Sequence, residues 1–88
     1  MTIGQAVTAR ILNLCRERNI SINKLCTMSG VTQSTVNNII SGRNHSVTVS
    51  TIQKLCEGLG ITIEDFFHSE IFRNLEQEPE YTSLSNCG

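Results

Sequence analysis

Four copies of one six-residue pattern constrain the fold of this 88-residue chain more than any other feature. Each copy runs apolar residue, Ser or Thr, three further residues, apolar residue, as in the stretch from Val31 to Val36. A hydroxyl in the second place can accept a hydrogen bond from a backbone N–H of a first helical turn, while the two apolar residues pack together as a hydrophobic staple. The four copies are ISINKL, VTQSTV, VTVSTI and ITIEDF. The pattern therefore predicts four helix starts.

Glycines and periodic apolar residues complete this helical prediction. Glycine closes a last helical turn in the left-handed conformation without a steric penalty. Such stops stand at Gly30, Gly42 and Gly60. The spacing of Val7, Ile11 and Leu14 predicts one more helix near the start of the chain. We therefore predict an all-α compact bundle of five short helices: Gly4 to Arg18, Ile22 to Ser29, Gln33 to Ser41, Val49 to Gly58 and Ile63 to Ser69.

The length of the chain limits it to one domain with a modest core. We assign residues 1–69 to this helical domain and 70–88 to an acidic C-terminal extension, partly helical or flexible. Ile71, Phe72 and Leu75 either extend the last helix or pack on the core or a partner. No segment resembles a signal peptide or membrane span, because polar side chains interrupt even the uncharged stretch from Val31 to Gly42. A cytoplasmic location is the resulting prediction.

Charge is segregated along the chain, although the net charge is only -1. Residues 1–54 carry six basic side chains and one acidic side chain, whereas residues 55–88 carry one basic and seven acidic side chains. The first part is therefore +5 and the second part -6. A polyanion can approach the first part and is repelled by the second.

The third predicted helix is polar on one face. On a helical wheel Val36, Ile39 and Ile40 share one side. The opposite side carries Ser34, Asn37, Asn38 and Ser41. Solvated helix surfaces usually carry Glu and Lys, which favour helices, whereas Asn and Ser do not. This composition favours contact with a partner over a merely solvated surface.

The second and third predicted helices are separated by three residues, with Gly30 in the turn. Two helices joined so closely must cross sharply, as in a helix-turn-helix. The apolar places of that motif are occupied by Leu25, Val31, Val36 and Ile39. The stretch SINKLCTMSGVTQSTVNNIISGR, followed by KLCEGLGITIEDFF, resembles the lambda-repressor-like helix-turn-helix family of Cro and XRE-type transcriptional regulators. The resemblance covers about Gly4 to Phe67.

The resemblance implies that the helix from Gln33 to Ser41 lies in the major groove of double-stranded DNA. Gln and Asn can pair a donor and an acceptor with adenine, and Ser can hydrogen-bond to bases. The candidates for base contact are Gln33, Ser34, Asn37 and Asn38. Because this helix contains no Arg or Lys, the usual readers of guanine, we predict half-sites biased toward A·T pairs.

Phosphate contacts are expected, by the same resemblance, at the ends of the second and third helices and in the loop that follows. The candidates are Ser21, Asn23, Lys24, Thr32, Thr35, Arg43, Asn44 and His45. So few cations predict a shallow salt dependence for a DNA-binding protein. The family commonly pairs an arginine of the first helix with a glutamate near the end of the third. Cys15 and Ile40 stand there, and an apolar contact can replace such a pair.

The implied function is a sequence-specific transcriptional repressor, because the chain has no room for an effector domain. A homodimer on an inverted repeat would double the number of bases read. Its surface is expected on the fourth and fifth helices or on Ile71 to Leu75. The alternative is an antitoxin-type module that binds a protein partner through its acidic C-terminal part and also represses its own promoter. A purely structural interaction domain is a third possibility.

An enzyme is not expected, because no nucleophile with its base and no phosphate-binding glycine loop occurs at a recognisable spacing. We assign no cofactor, no metal and no catalytic residue. The four cysteines form no CxxC pair. Three of them, Cys15, Cys26 and Cys56, fall at apolar helix positions and are predicted to pack as small hydrophobic residues. A metal or redox sensor that uses Cys15, Cys26, Cys56 or Cys87 with His45 is the alternative.

Overall fold

The computed structural model describes residues 1–41 and 47–75. Within these residues the chain forms five α-helices and one short 3-10 helix, without a β-strand, which confirms the predicted all-α class. The helices are α1 (Ile3–Arg18), α2 (Ile22–Ser29), α3 (Gln33–Ser41), α4 (Val49–Leu59) and α5 (Ile63–Phe67), and the 3-10 helix is Glu70–Phe72. None of the helices in the described ranges has the length and apolar character needed to span a membrane.

All four predicted helix caps are formed. The hydroxyls of Ser21, Thr48 and Thr62 accept hydrogen bonds from backbone N–H groups three residues later. Thr32 accepts one from the N–H of Thr35 at 3.2 Å. The apolar residues that close the four patterns are Leu25, Val36, Ile52 and Phe66, each at most 4% exposed. In these four helices the pattern marks the start, and its last residue lies on the buried face.

A further copy of the pattern, MTIGQA, begins α1 one residue earlier than predicted. Thr2 caps the helix, and the Gln5 side chain accepts a hydrogen bond from the Thr2 N–H at 2.9 Å. Ala6 closes this copy and is fully buried. Sequence reasoning missed it because alanine is only weakly apolar and the clear periodicity begins at Val7.

The predicted glycine stops are confirmed at Gly30 and Gly60, where φ is 72° and 73°. Gly42 lies outside the described residues. The predicted end of the fifth helix at Ser69 is wrong by two residues, because Ser69 has extended backbone angles and caps the 3-10 helix. Its hydroxyl accepts a hydrogen bond from the Ile71 N–H at 3.3 Å.

The 3-10 helix returns Phe72 to the hydrophobic core. The centroid of the Phe72 ring lies 6.2 Å from that of Phe66 and 4.9 Å from that of Phe67. Of the alternatives for this segment, packing of Phe72 on the core is therefore observed, whereas continuation of α5 is not. Cys15 is also buried in this core and Ile40 packs partly buried against it, where the family commonly has an ion pair.

The helices α2 and α4 approach each other closely at Gly58. A Cβ atom added to Gly58 would lie 2.7 Å from the Cα of Ser29 and 2.9 Å from its backbone nitrogen. Contacts this short do not occur between real carbon atoms without displacement. Gly58 is thus an interior residue of α4 that permits direct backbone packing, and α4 ends one residue later than predicted.

Two arginines of α1 bind the C-terminal ends of other helices. Arg10 donates from Nε to the Phe66 carbonyl at 2.7 Å and from Nη2 to the Asp65 carbonyl at 2.9 Å. Arg18 donates from Nη2 to the Leu59 carbonyl at 3.3 Å. The last carbonyls of a helix lack intrahelical partners and form the negative end of its dipole, so a guanidinium there is stabilising.

The prediction that three cysteines pack as hydrophobic residues is confirmed. Cys15, Cys26 and Cys56 are free thiols and are at most 8% exposed. Cys87 and His45 lie outside the described residues. Within the described residues, His, Cys, Asp and Glu side chains form no group of three that could hold a metal ion.

Burial of these thiols predicts a loss of stability at alkaline pH. Burial raises the pKa of Cys15, Cys26 and Cys56 above the ordinary value of 9.0. The stabilising contribution is complete below the pKa of the unfolded thiols and is lost as the pH rises through the folded values, because the unfolded chain then releases its thiol protons first. The urea midpoint is expected to fall between about pH 7.5 and about pH 10.

The variant Cys56→Ala separates this effect from other alkaline titrations, since it removes one buried thiol and keeps every other ionisable group. Its urea midpoint should fall less steeply over the same pH interval. Equal steepness in the two proteins would contradict a contribution from the Cys56 thiol.

Candidate nucleic-acid interface

The helices α2 and α3 form a compact helix-turn-helix unit. Gly30 ends α2 in the left-handed conformation, and Thr32 caps α3. Between them Val31 is only 8% exposed, so the turn is fixed to the core by its own central residue. This arrangement holds α3 at the surface of the domain with its N-terminus beside α2.

One face of α3 is buried and the other is exposed, as the helical wheel predicts. Val36 and Ile39 are 0% and 3% exposed, and Ile40 is half-buried. The exposed residues include all four predicted base contacts, Gln33, Ser34, Asn37 and Asn38, together with Ser41. A continuous amide and hydroxyl surface is therefore available to a partner along the whole helix.

The structure brings together two residues that the sequence assigned to different roles. The Gln33 side chain donates a hydrogen bond from Nε2 to Oδ1 of Asn23, in the first turn of α2. Gln33 retains a second Nε2 hydrogen and its Oε1 acceptor, and Asn23 retains its two Nδ2 hydrogens. The bond to Asn23 thus orients the Gln33 amide, which can still donate one hydrogen bond and accept another in the plane of the amide group.

Two of the predicted phosphate-binding hydroxyls, those of Ser21 and Thr32, are helix caps, whereas Thr35 lies in the first turn of α3. Ser21 accepts a hydrogen bond from the Lys24 N–H at 3.1 Å. The hydroxyls of Thr32 and Thr35 lie 2.8 Å apart, with Thr32 exposed and Thr35 half-buried. A capping hydroxyl that accepts from the backbone keeps its own proton to donate, and because one threonine hydroxyl donates to the other, that pair retains one proton for a partner. These caps therefore place hydroxyl donors at the N-terminal ends of α2 and α3, where the helix dipole attracts anions.

Fewer basic side chains are free to bind phosphate than the sequence indicates. Arg10 and Arg18 are bound to helix ends, as described above. Arg16, Lys24 and Lys54 are exposed. The predicted phosphate contacts Arg43, Asn44 and His45 lie outside the described residues.

Sequence reasoning missed one residue that supports α3 from outside the helix-turn-helix. The hydroxyl of Thr8, in α1, donates a hydrogen bond to the Ile39 carbonyl in the last turn of α3 at 2.9 Å. The two residues are 31 positions apart. A half-buried threonine inside a helix carries no local signal for such a contact, so only the tertiary structure reveals it.

An exposed polar helix held at the surface as the second member of a helix-turn-helix defines a class of DNA-binding proteins. A family model described as a Cro/C1-type HTH DNA-binding domain matches residues 10–70. The chain therefore belongs to this family and is a DNA-binding regulator, as its resemblance to lambda-repressor-like proteins predicts.

Among solved structures, the crystal structure of the prophage Lp1 protein 11 is similar to this chain. The two superpose with a TM-score of 0.75 at 36% sequence identity, over 85% of this chain and 99% of the other. A comparison with curated protein sequences found no match.

Proposed function

We propose that this protein is a sequence-specific transcriptional repressor that reads its operator with α3 in the major groove. The observation that carries the proposal is the exposed amide and hydroxyl face of α3, opposite its buried apolar face. A DNA-bound domain can block a promoter by occupancy alone, which requires no further contact with the transcription machinery. Repression is therefore the simplest regulatory outcome for such a surface.

Base reading is assigned to Gln33, Ser34, Asn37 and Asn38. With one Nε2 hydrogen bound to Asn23, the Gln33 amide can still donate to N7 of adenine and accept from its N6. Asn37 follows one helical turn later on the exposed face and suits the same pairing at a neighbouring base pair. Half-sites rich in A·T pairs follow from these amides.

Phosphate contact is assigned to the N-terminal turns of α2 and α3 and to the loop after α3. The hydroxyls and amides of Ser21, Asn23, Thr32 and Thr35, with Lys24, would donate to phosphate oxygens. Arg43, Asn44 and His45 complete the proposed set. Because Arg10 and Arg18 are occupied elsewhere, few counterions would be released, and the salt dependence of binding should be shallow.

A homodimer is proposed through the surface of α5 and the 3-10 helix. Ile63 and Phe67 are 36% and 37% exposed there, although both are large apolar residues. Exposed Glu70 and Arg73 flank them with opposite charges. In a twofold dimer such a surface meets itself, so each acidic group can face the basic group of the other copy.

The test is selection of binding sites from a random duplex library with the purified chain. An A·T-biased inverted repeat, with half-site centres about one helical turn apart, is expected. An enriched single half-site would contradict the dimer, and the absence of any motif at low salt would contradict sequence-specific DNA binding.

An antitoxin-type module that binds a protein partner and represses its own promoter is the second candidate. Two observations favour it: Ile63 and Phe67 are exposed, and the sequence that follows α5 is rich in glutamate. Stable co-purification with one particular protein, lost in Phe67→Ser and kept in Gln33→Ala, would support this candidate.

A further inference from the structure

The recognition helix α3 is tied to the rest of the domain near both of its ends. At the first residue, the Gln33 side chain is bound to Asn23 of α2. In the last turn, the Ile39 carbonyl accepts the hydrogen bond from Thr8 of α1 at 2.9 Å. A helix attached near one end can pivot about that point, whereas attachment near both ends fixes the direction of its axis. Thr8 is therefore placed to control orientation, although it lies outside the helix-turn-helix.

The direction of the Thr8 hydrogen bond is unusual within this structure. Thr and Ser inside helices commonly bond to the carbonyl four residues earlier in the same helix. Thr27 does so with Asn23 at 3.1 Å, and Ser29 does so with Leu25 at 2.7 Å. Thr8 instead donates to a different helix, at a partly buried position. The Ile39 carbonyl belongs to the last turn of α3, so this bond joins the C-terminal part of α3 to α1.

We propose that Thr8 is a positioning residue for DNA recognition: its hydroxyl fixes the C-terminal turn of α3 against α1 and thereby sets the angle at which the base-reading side chains enter the groove. The proposal rests on the proposed function of α3. Base pairs are read by short, directional hydrogen bonds. A change in the helix axis displaces Gln33 and Asn37 together, so loss of one remote hydroxyl reduces discrimination between operator and other DNA.

The first experiment measures the orientation of α3 without DNA, so that it does not depend on the proposed function. Residual dipolar couplings of backbone N–H groups are recorded for the full chain and for Thr8→Val, which keeps the branched shape and removes the hydroxyl. In the wild type, one alignment tensor should fit all helices. In Thr8→Val the couplings of α3 should depart from the tensor that fits α1, α2 and α4. If α3 still fits that tensor, the positioning role is overturned.

The second experiment compares affinities for the selected operator and for unrelated duplex DNA, at a temperature where every variant is folded. Thr8→Val should bind the operator about fivefold more weakly, which corresponds to the loss of about one hydrogen bond to a base. Its affinity for unrelated DNA should be unchanged. Thr8→Ser retains the hydroxyl and should restore operator binding to within about twofold.

Thr51→Val is the matched control, because Thr51 is also half-buried and its hydroxyl lies 2.9 Å from that of Thr48 within its own helix start. This variant should leave both the α3 couplings and the affinity ratio unchanged.

A purely structural role for Thr8 predicts a lower melting temperature with an unchanged affinity ratio, and that result would overturn the proposal. Failure of the wild type to select any motif would instead contradict the proposed function, with the coupling measurement still valid.

Discussion

Gly58→Ala is expected to lower the free energy of unfolding by about 3 kcal/mol, at the upper end of the range for overpacked cores. A Cβ at this position would meet Cα and the backbone nitrogen of Ser29 at 2.7 Å and 2.9 Å. Backbone atoms cannot rotate away as a flexible side chain can, so α2 and α4 would have to separate. In an open helix the same substitution would stabilise by up to about 1 kcal/mol, so the close approach reverses the sign.

Thermal and urea unfolding measure this effect. The melting temperature should fall by about 15 °C for a domain of this size. Gln53→Ala serves as the control, because Gln53 is an exposed residue of the same helix and its replacement should change stability by less than about 0.5 kcal/mol. A Gly58→Ala protein as stable as the wild type would mean that the two helices do not meet at this point.

The double variant Gln33→Ala with Asn37→Ala is expected to abolish discrimination between the operator and unrelated DNA. Each bidentate amide contact to adenine contributes about 1–3 kcal/mol of discrimination, so loss of both corresponds to about 4 kcal/mol, or roughly a thousandfold. Stability should change little, because both side chains are exposed. Competition binding against the selected operator and a scrambled duplex measures the ratio.

Two comparisons make this result specific. Asn37→Ala should relax the selected motif at its own base pair only, whereas Gln33→Ala also removes the bond to Asn23 and should relax the motif at further base pairs. Gln53→Ala removes the same kind of side chain from α4 and should leave the affinity ratio unchanged. If the double variant still selects the wild-type motif, another element of the protein reads the bases.

Much of the fold could be predicted because its signals are local. A capping hydroxyl and its staple residues lie within six positions of one another, so Thr48 with Ile52, or Thr62 with Phe66, can be recognised without knowledge of the tertiary structure. The polar face of α3 is equally local, since it needs only the helical period. Even the missed start at Thr2 follows the same rule, with Ala6 as a less conspicuous apolar residue.

The features that could not be predicted depend on what the chain brings together over long distances. Gly58 could be taken as a helix end from the sequence, because nothing local indicates that Ser29 packs against it. Arg10 could be counted among the cations available to DNA, because its carbonyl partners are 55 and 56 residues away. The pairing of Asn23 with Gln33 likewise requires the crossing of α2 and α3 to be known.

The hydrogen bonds of α1 have a consequence for the order in which the molecule forms. Three of its side chains donate to acceptors that lie 31, 41 and 56 residues later in the chain. Contacts of such long sequence separation form late, because the intervening loop must first be closed. The Thr8 bond to α3 therefore requires only the chain up to Ile39, whereas the bonds of Arg18 and Arg10 can form only after α4 and α5 have been synthesised.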